Sequence, residues 1–172
     1  APGPPPEFTV PPTVAARLPA GPAMPFTHSR TAPKVTVLAV VRTGNIDEGK
    51  DTWLPDVAVE MLKEGTTTRS AAQLAEAAAG MGGTLALGVA AEQTTASVSV
   101  LSEHAVGATE LLADVLRNPR FPETELPRVL ANFERSLAVA RSDPQSLADE
   151  ALAKLVFGDH PLGRLLPQVG QL

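Results

Sequence analysis

Hydrophobic and polar positions along this chain follow two different periods. Residues 34–43 form a β-branched run between Pro33 and Gly44, and residues 84–91 and 94–101 alternate cleanly. Leu85, Leu87 and Val89 share one face of the first alternating segment, and Ala96, Val98 and Val100 share one face of the second, with Glu92-Gln93 as the tight link of a hairpin. A shorter strand is predicted over residues 14–18, with a turn at Pro19-Ala20-Gly21 after it. Elsewhere the period is helical. One helix is predicted over residues 52–64, capped at Thr52, tolerating Pro55 in its first turn and stopping at Gly65. Ser70 with Gln73 has the form of a capping box, and the helix it opens closes at Gly82-Gly83. Ser142 with Gln145 repeats the device before an Ala/Leu-rich helix ending near Gly158. Between them, residues 103–117 and 125–141 read as a helical pair. In the second of these, Leu126, Leu130, Phe133, Leu137 and Ala140 recur at spacings of four and three, which predicts one buried face.

Strands that meet by hairpin and helices that arrive in runs define the expected fold class: α+β, with an antiparallel-dominated sheet and helices packed on one face. The first segment departs from this pattern. Ten of the 17 prolines lie within residues 1–33, and residues 1–12 carry almost no charge and no apolar period, so they read as a Pro-rich extended arm. Residues 13–172 read as the folded domain. No internal repeat interrupts it.

Composition narrows the chemistry. With 44% apolar and 19% charged residues the chain suits a folded domain with a core. A net charge of −5 without any cluster of Lys or Arg argues against a nucleic-acid partner. Absence of cysteine excludes disulfides, thiol catalysis and sulfur-based zinc sites. The longest apolar run, residues 35–41, falls well short of the ~20 residues of a membrane-spanning helix. Because the sequence starts at Ala1 without a leader, it is expected to have lost a signal segment or been trimmed, and an exported or periplasmic location is favoured over a cytoplasmic one.

An ordered series of short motifs adds a family expectation. Met61-Leu62-Lys63-Glu64-Gly65-Thr66, Met81-Gly82-Gly83 and Val100-Leu101-Ser102-Glu103-His104 come first. Asn118-Pro119, Phe121-Pro122-Glu123, Asp143-Pro144 and Phe157-Gly158-Asp159-His160-Pro161-Leu162-Gly163-Arg164 follow in order. Each piece alone is weak, but the series resembles the pitrilysin/insulinase family of zinc peptidases over residues 14–172. Active members carry an inverted H-x-x-E-H motif on the helix before the Met-Leu segment. Two imidazoles at i and i+4 share one helical face and hold Zn²⁺, while the Glu before the second His activates the metal-bound water. Aligned on Met61, the two His positions are Asp56 and Glu60, and the general-base position is Val59. The third ligand, a Glu on a later helix, falls at Ser136 in ungapped register, with Glu134 two residues away.

The resemblance therefore implies a non-catalytic subunit with no metal and no cofactor of its own. In this reading it forms a heterodimer with a zinc-bearing homologous peptidase subunit, as in bacterial two-subunit enzymes, and walls a chamber that holds an extended peptide. The chain lacks Tyr and stops before the half in which such subunits grip peptide, so it is expected to be a fragment or one piece of a processed chain. Two alternatives stand beside this reading: a structural assembly subunit related to respiratory-complex core proteins, and a divergent metallopeptidase with Asp56, Glu60 and Glu134 as carboxylate ligands. Two helical carboxylates are more often a solvated face than a cation cage. His28, His104 and His160 lack metal-ligand spacing and read as structural. Gly80, Gly82 and Gly83 read as capping and close-packing residues, not as a nucleotide loop. Ser99 and Ser102 lack the surroundings of a serine nucleophile. Trp53, the sole Trp, is either a packing residue at a helix start or an anchor at a subunit interface.

Overall fold

The structure, a computed structural model, describes residues 3, 10–17, 21, 23–28, 32–168, 170 and 171. It divides into two units, residues 1–33 and 34–172. In the first, β1 (Thr13–Arg17) pairs antiparallel with β2 (Ala23–Thr27). The first strand matches the expectation from residues 14–18, whereas β2 was hidden by Pro25 in its centre, which reads as a strand breaker. In a two-stranded ribbon a residue whose N–H faces outward loses nothing to proline. The predicted turn at Pro19-Ala20-Gly21 and most of the Pro-rich arm lie outside the described residues.

The second unit is built on a three-stranded antiparallel sheet in the order β3-β5-β4, with β3 Lys34–Val41, β4 Thr84–Val89 and β5 Thr94–Leu101. Its register places Leu85 opposite Val98 and Leu87 opposite Ala96, so the alternation read from the sequence is the alternation of faces. Val35, Val37 and Ala39 of β3 extend the same apolar face. Against it pack α2 (Ala71–Gly80) and α3 (Ala105–Arg117), through Leu74, Ala78, Ala108, Leu111, Leu112 and Val115. The opposite face carries Thr36, Leu38, Val40, Ser97 and Ser99 and has no helix on it among the described residues. This is the expected α+β layer with helices on one face.

A second, smaller core joins α1 (Leu54–Leu62) to α4 (Leu126–Ser142) through Val57, Met61 and Val129, with Leu130 and Phe133 partly buried against them. Its composition corrects the expected α4 face. Val129 and Leu137 are the buried residues of α4, Leu130, Phe133 and Ala140 are half-buried and Leu126 is exposed, so four of the five predicted positions face inward and Val129 takes the place of Leu126. Val129 follows Leu126 by three residues on the same side of the helix, and packing against α1 buries it instead.

Helix ends show where local signals prevail. Ser70 accepts from the Gln73 backbone N–H at 3.3 Å and Gln73 returns its side-chain oxygen to the Ser70 N–H at 2.8 Å, completing the capping box. The proposed repeat at Ser142 with Gln145 does not form. Helix α4 runs through Ser142, and Asp143 caps α5 (Pro144–Phe157), its carboxylate accepting from the Ser146 N–H at 2.9 Å. Asp143 sits one residue closer to the new helix and brings a charged acceptor to its positive end. Gly83 is required for a different reason: a Cβ there would lie 1.7 Å from the Ser99 carbonyl oxygen, so only glycine lets this turn pack against β5.

Candidate functional site

Helix α1 begins one residue later than the Thr52 cap predicted. Trp53 takes the N-cap position with left-handed backbone, φ 70°, and no side-chain cap. Its N–H donates instead to the Glu48 carboxylate at 2.9 Å, so an acidic side chain from five residues upstream replaces the hydroxyl cap. Thr52 is buried beside this turn. Pro55 sits in the first turn as expected, and Gly65 follows the helix at φ 123°.

On this helix the three positions that resemble the inverted zinc motif have other engagements. Asp56 is half-buried and accepts from the Asn45 side-chain amide at 2.9 Å. Burial pushes its carboxyl above the usual range, the Asn45 hydrogen bond opposes this, and the negative charge of Glu60 adds to it. Glu60 forms an ion pair with Lys63. Val59 is buried, with 6% of its surface exposed, and supplies no base. Glu48, buried behind the start of α1, is likewise raised by burial, against the opposing pull of the Trp53 N–H and the Arg164 guanidinium.

The remaining sequence candidates lie elsewhere. Ser136 is exposed on α4, donates its hydroxyl to the Asn132 carbonyl at 3.1 Å, and lines a shallow depression with Asn132, Arg135, Val139, Ala140, Asp143 and Ser146. No residue of α1 belongs to that depression. Glu134 is exposed. The face of α4 that meets α1 carries Val129, Leu130 and Phe133 and is wholly apolar. Zinc in the arrangement the family motif uses therefore does not fit: the two helical ligand positions hold carboxylates bound to other groups, and the facing helix presents hydrocarbon. No group of three or more His, Cys, Asp or Glu among the described residues is placed to hold a metal ion.

Trp53 packs its ring against Phe133, with centroids 5.9 Å apart, and donates its indole N–H to the Leu165 carbonyl at 3.0 Å. His104 is the N-cap of α3, and the His160 Nδ1 accepts from the Leu162 N–H at 3.2 Å. One polar centre escaped the sequence reading. Asp114, buried on α3, accepts from Thr66 (2.8 Å), Thr68 (2.9 Å), Arg69 (2.6 Å) and Asn118 (2.9 Å). Led by the Asn118 hydrogen bond, these donors hold its carboxyl down to about 2. They tie the loop after α1 to α3. A signal was present: Asp114 stands inside the apolar period of Leu111, Leu112 and Val115 with an amide at i+4, and three hydroxyl or guanidinium donors crowd residues 66–69.

An α+β unit whose helix resembling the zinc-motif helix carries Asp56, Val59 and Glu60 in place of histidines and a base is the class these features define. The family model described as Insulinase (Peptidase family M16) matches residues 25–168, and the chain belongs to that family. A protein of Rickettsia felis named as an uncharacterized zinc protease is 30% identical over 141 residues, 82% of this chain and 33% of that protein. An uncharacterized zinc protease of Mycobacterium tuberculosis is 34% identical over 149 residues, 86% of this chain and 32% of its own length. The chain thus spans about a third of the length of these relatives. Among solved structures, the peptidase M16 inactive domain from Pseudomonas fluorescens superposes with a TM-score of 0.80 at 24% identity, covering 88% of this chain and 37% of that one, which shows the shared fold. No described helix is long and apolar enough to cross a membrane.

Proposed function

We propose that this chain is a zinc-less, non-catalytic M16 unit that acts beside a zinc-bearing homologue, walling the chamber in which that partner cleaves an extended peptide. One observation carries the reading: the positions of the two imidazoles and the general base are Asp56, Glu60 and Val59, tied respectively to Asn45, to Lys63 and into the interior. A water-activating site needs an open metal position and a carboxylate base oriented toward it, and buried hydrocarbon at Val59 offers neither. The Pseudomonas neighbour, described as an inactive domain, supports the idea that this fold serves without its own chemistry. Peptidase activity then belongs to the assembled pair, and zinc to the partner.

The test is metal content and metal dependence together. The purified chain is expected to retain no stoichiometric zinc after dialysis, and a chelator is expected to leave its melting temperature unchanged, because structural metal sites contribute folding energy directly. About one tightly held zinc per chain, lost on Asp56→Ala or Glu60→Ala, contradicts the proposal.

A further inference from the structure

Residues 161–171, which follow α5, lie across the start of α1 as a strap. The 3₁₀ turn Pro161–Gly163 touches the 3₁₀ turn Asn45–Asp47, and His160 closes it by accepting from the Leu162 N–H. Beyond the turn, the strap is held by the start of α1 on one side and by α4 on the other. The Leu165 carbonyl accepts the Trp53 indole N–H at 3.0 Å, and Arg164 faces Glu48, the carboxylate that holds the Trp53 backbone N–H. The Pro167 carbonyl accepts from Arg141 of α4 at 2.5 Å, and the Gln171 side-chain amide donates to the Lys50 carbonyl. Pro167 itself is fully buried. Side chains of two other elements thus satisfy the carbonyl oxygens of an irregular segment, which is what keeps it seated.

The seated arrangement carries a load. Trp53 has φ 70° and no side-chain cap, a conformation that a bulky aromatic keeps only where its surroundings impose it. Those surroundings are its ring on Phe133, its N–H on Glu48 and its indole on the strap. The Nε atoms of Arg141 and Arg164 are buried without a hydrogen-bond partner among the described residues, a second cost of the same arrangement. A strained helix start and unpaired donors persist together only while the strap contacts outweigh them. The strap and the start of α1 therefore have two joint arrangements, seated and released. Asp56, Val59 and Glu60 lie in the turns that follow directly, so whatever fixes Trp53 fixes their direction.

We propose that residues 161–171 are a latch on α1: seated, they hold Trp53 in its left-handed conformation and fix the first helical turn; released, they let Trp53 relax and that turn fray. The sheet stays folded in both states, because among the described residues no part of the strap belongs to the apolar core between the sheet, α2 and α3. Through Arg141 the device extends beyond α1, since a contact on α4 governs a helix start to which it is not bonded. The latch holds whether or not the chain pairs with a zinc-bearing homologue.

Single-amide hydrogen exchange on the isolated chain, followed by NMR, tests this. Arg141→Met removes the α4 anchor, whose hydrogen bond goes to the strap and not to α1. It should speed exchange at Arg164 and Gln171 in the strap and at Leu54 and Val57 at the start of α1, on the order of tenfold, the scale of one lost hydrogen bond. Trp53 emission should shift to the red as the indole leaves the Leu165 carbonyl, while amides of β5 and α3 keep their rates. Arg141→Lys, which still offers Pro167 a donor, should restore most of the protection. Coupling is reciprocal, so Trp53→Phe, which keeps a ring on Phe133 and deletes the indole N–H, should speed the same strap amides. The double variant should add little to either single one. Faster strap exchange with Leu54 and Val57 unchanged would overturn the proposal, because strap and helix start would then open independently. An equal rise in β5 and α3 would overturn it as well, since the whole unit would be opening. Unchanged exchange at every amide in both single variants would show that no latch exists.

Discussion

At the scale of single residues, the polar groups that matter most are those with several donors on one carboxylate. Asp114 holds residues 66–69 against α3, and its folded pKa of about 2 lies below the ~3.9 of an unfolded Asp. A depressed carboxyl contributes stability that is fully present above the unfolded value and is lost as pH falls through the folded one. Stability of the chain is therefore expected to decline between about pH 4 and pH 2, and Asp114→Asn should flatten that part of the profile. The same variant should lose about 2 kcal/mol at neutral pH, since it leaves Arg69 without its counter-charge. Urea titrations at a series of pH values read both effects; an unchanged acid limb in Asp114→Asn would show that other carboxylates control it. Such a centre is hard to read from sequence because three of its four donors come from a loop 45 to 48 residues away. That Asp56, Val59 and Glu60 share one helix with the Met61-Leu62 pair was legible, because the period of α1 is local. Ser136 was placed by counting along α4, which gives a number but not a face.

At the scale of elements, what could be read depended on how local the decisive interaction is. The Ser70–Gln73 box joins atoms three residues apart and formed as expected. Ser70→Ala is expected to cost about 1 kcal/mol, which for a chain of this size lowers the melting temperature by about 3 °C. A calorimetric scan checks this, and no change would mean that α2 is held by its packing on the sheet alone. Strand register in β4 and β5 was legible for a similar reason, since period-two alternation and a short link leave one pairing that keeps Leu85, Leu87, Ala96 and Val98 on the helix side. The start of α1 was not: Thr52 is a good cap by composition, yet Glu48 supplies a stronger acceptor to Trp53 across a turn that local pattern does not reveal. Nor was β2, where the sequence shows only a proline among prolines.

At the scale of the whole molecule, family membership and fold agree, while Asp56, Glu60 and Val59 of α1 are engaged with Asn45, with Lys63 and with the interior. Active members hold zinc between two helices; here α1 and α4 meet through Val57, Met61, Val129 and Phe133, a contact that needs no ion. The partner-subunit account joins these observations: the family fold, and at the motif positions a buried Val59 with carboxylates engaged by Asn45 and Lys63. Its most direct test is recovery of the protein in its native assembly, by affinity purification from the host that expresses it, with the co-purifying chains sequenced and zinc counted per complex. The account predicts a homologue that carries an intact H-x-x-E-H motif, at one copy per copy of this chain, and one zinc per pair. Recovery of this chain without such a homologue, with zinc in proportion to itself and peptide cleavage in the same fraction, would contradict it.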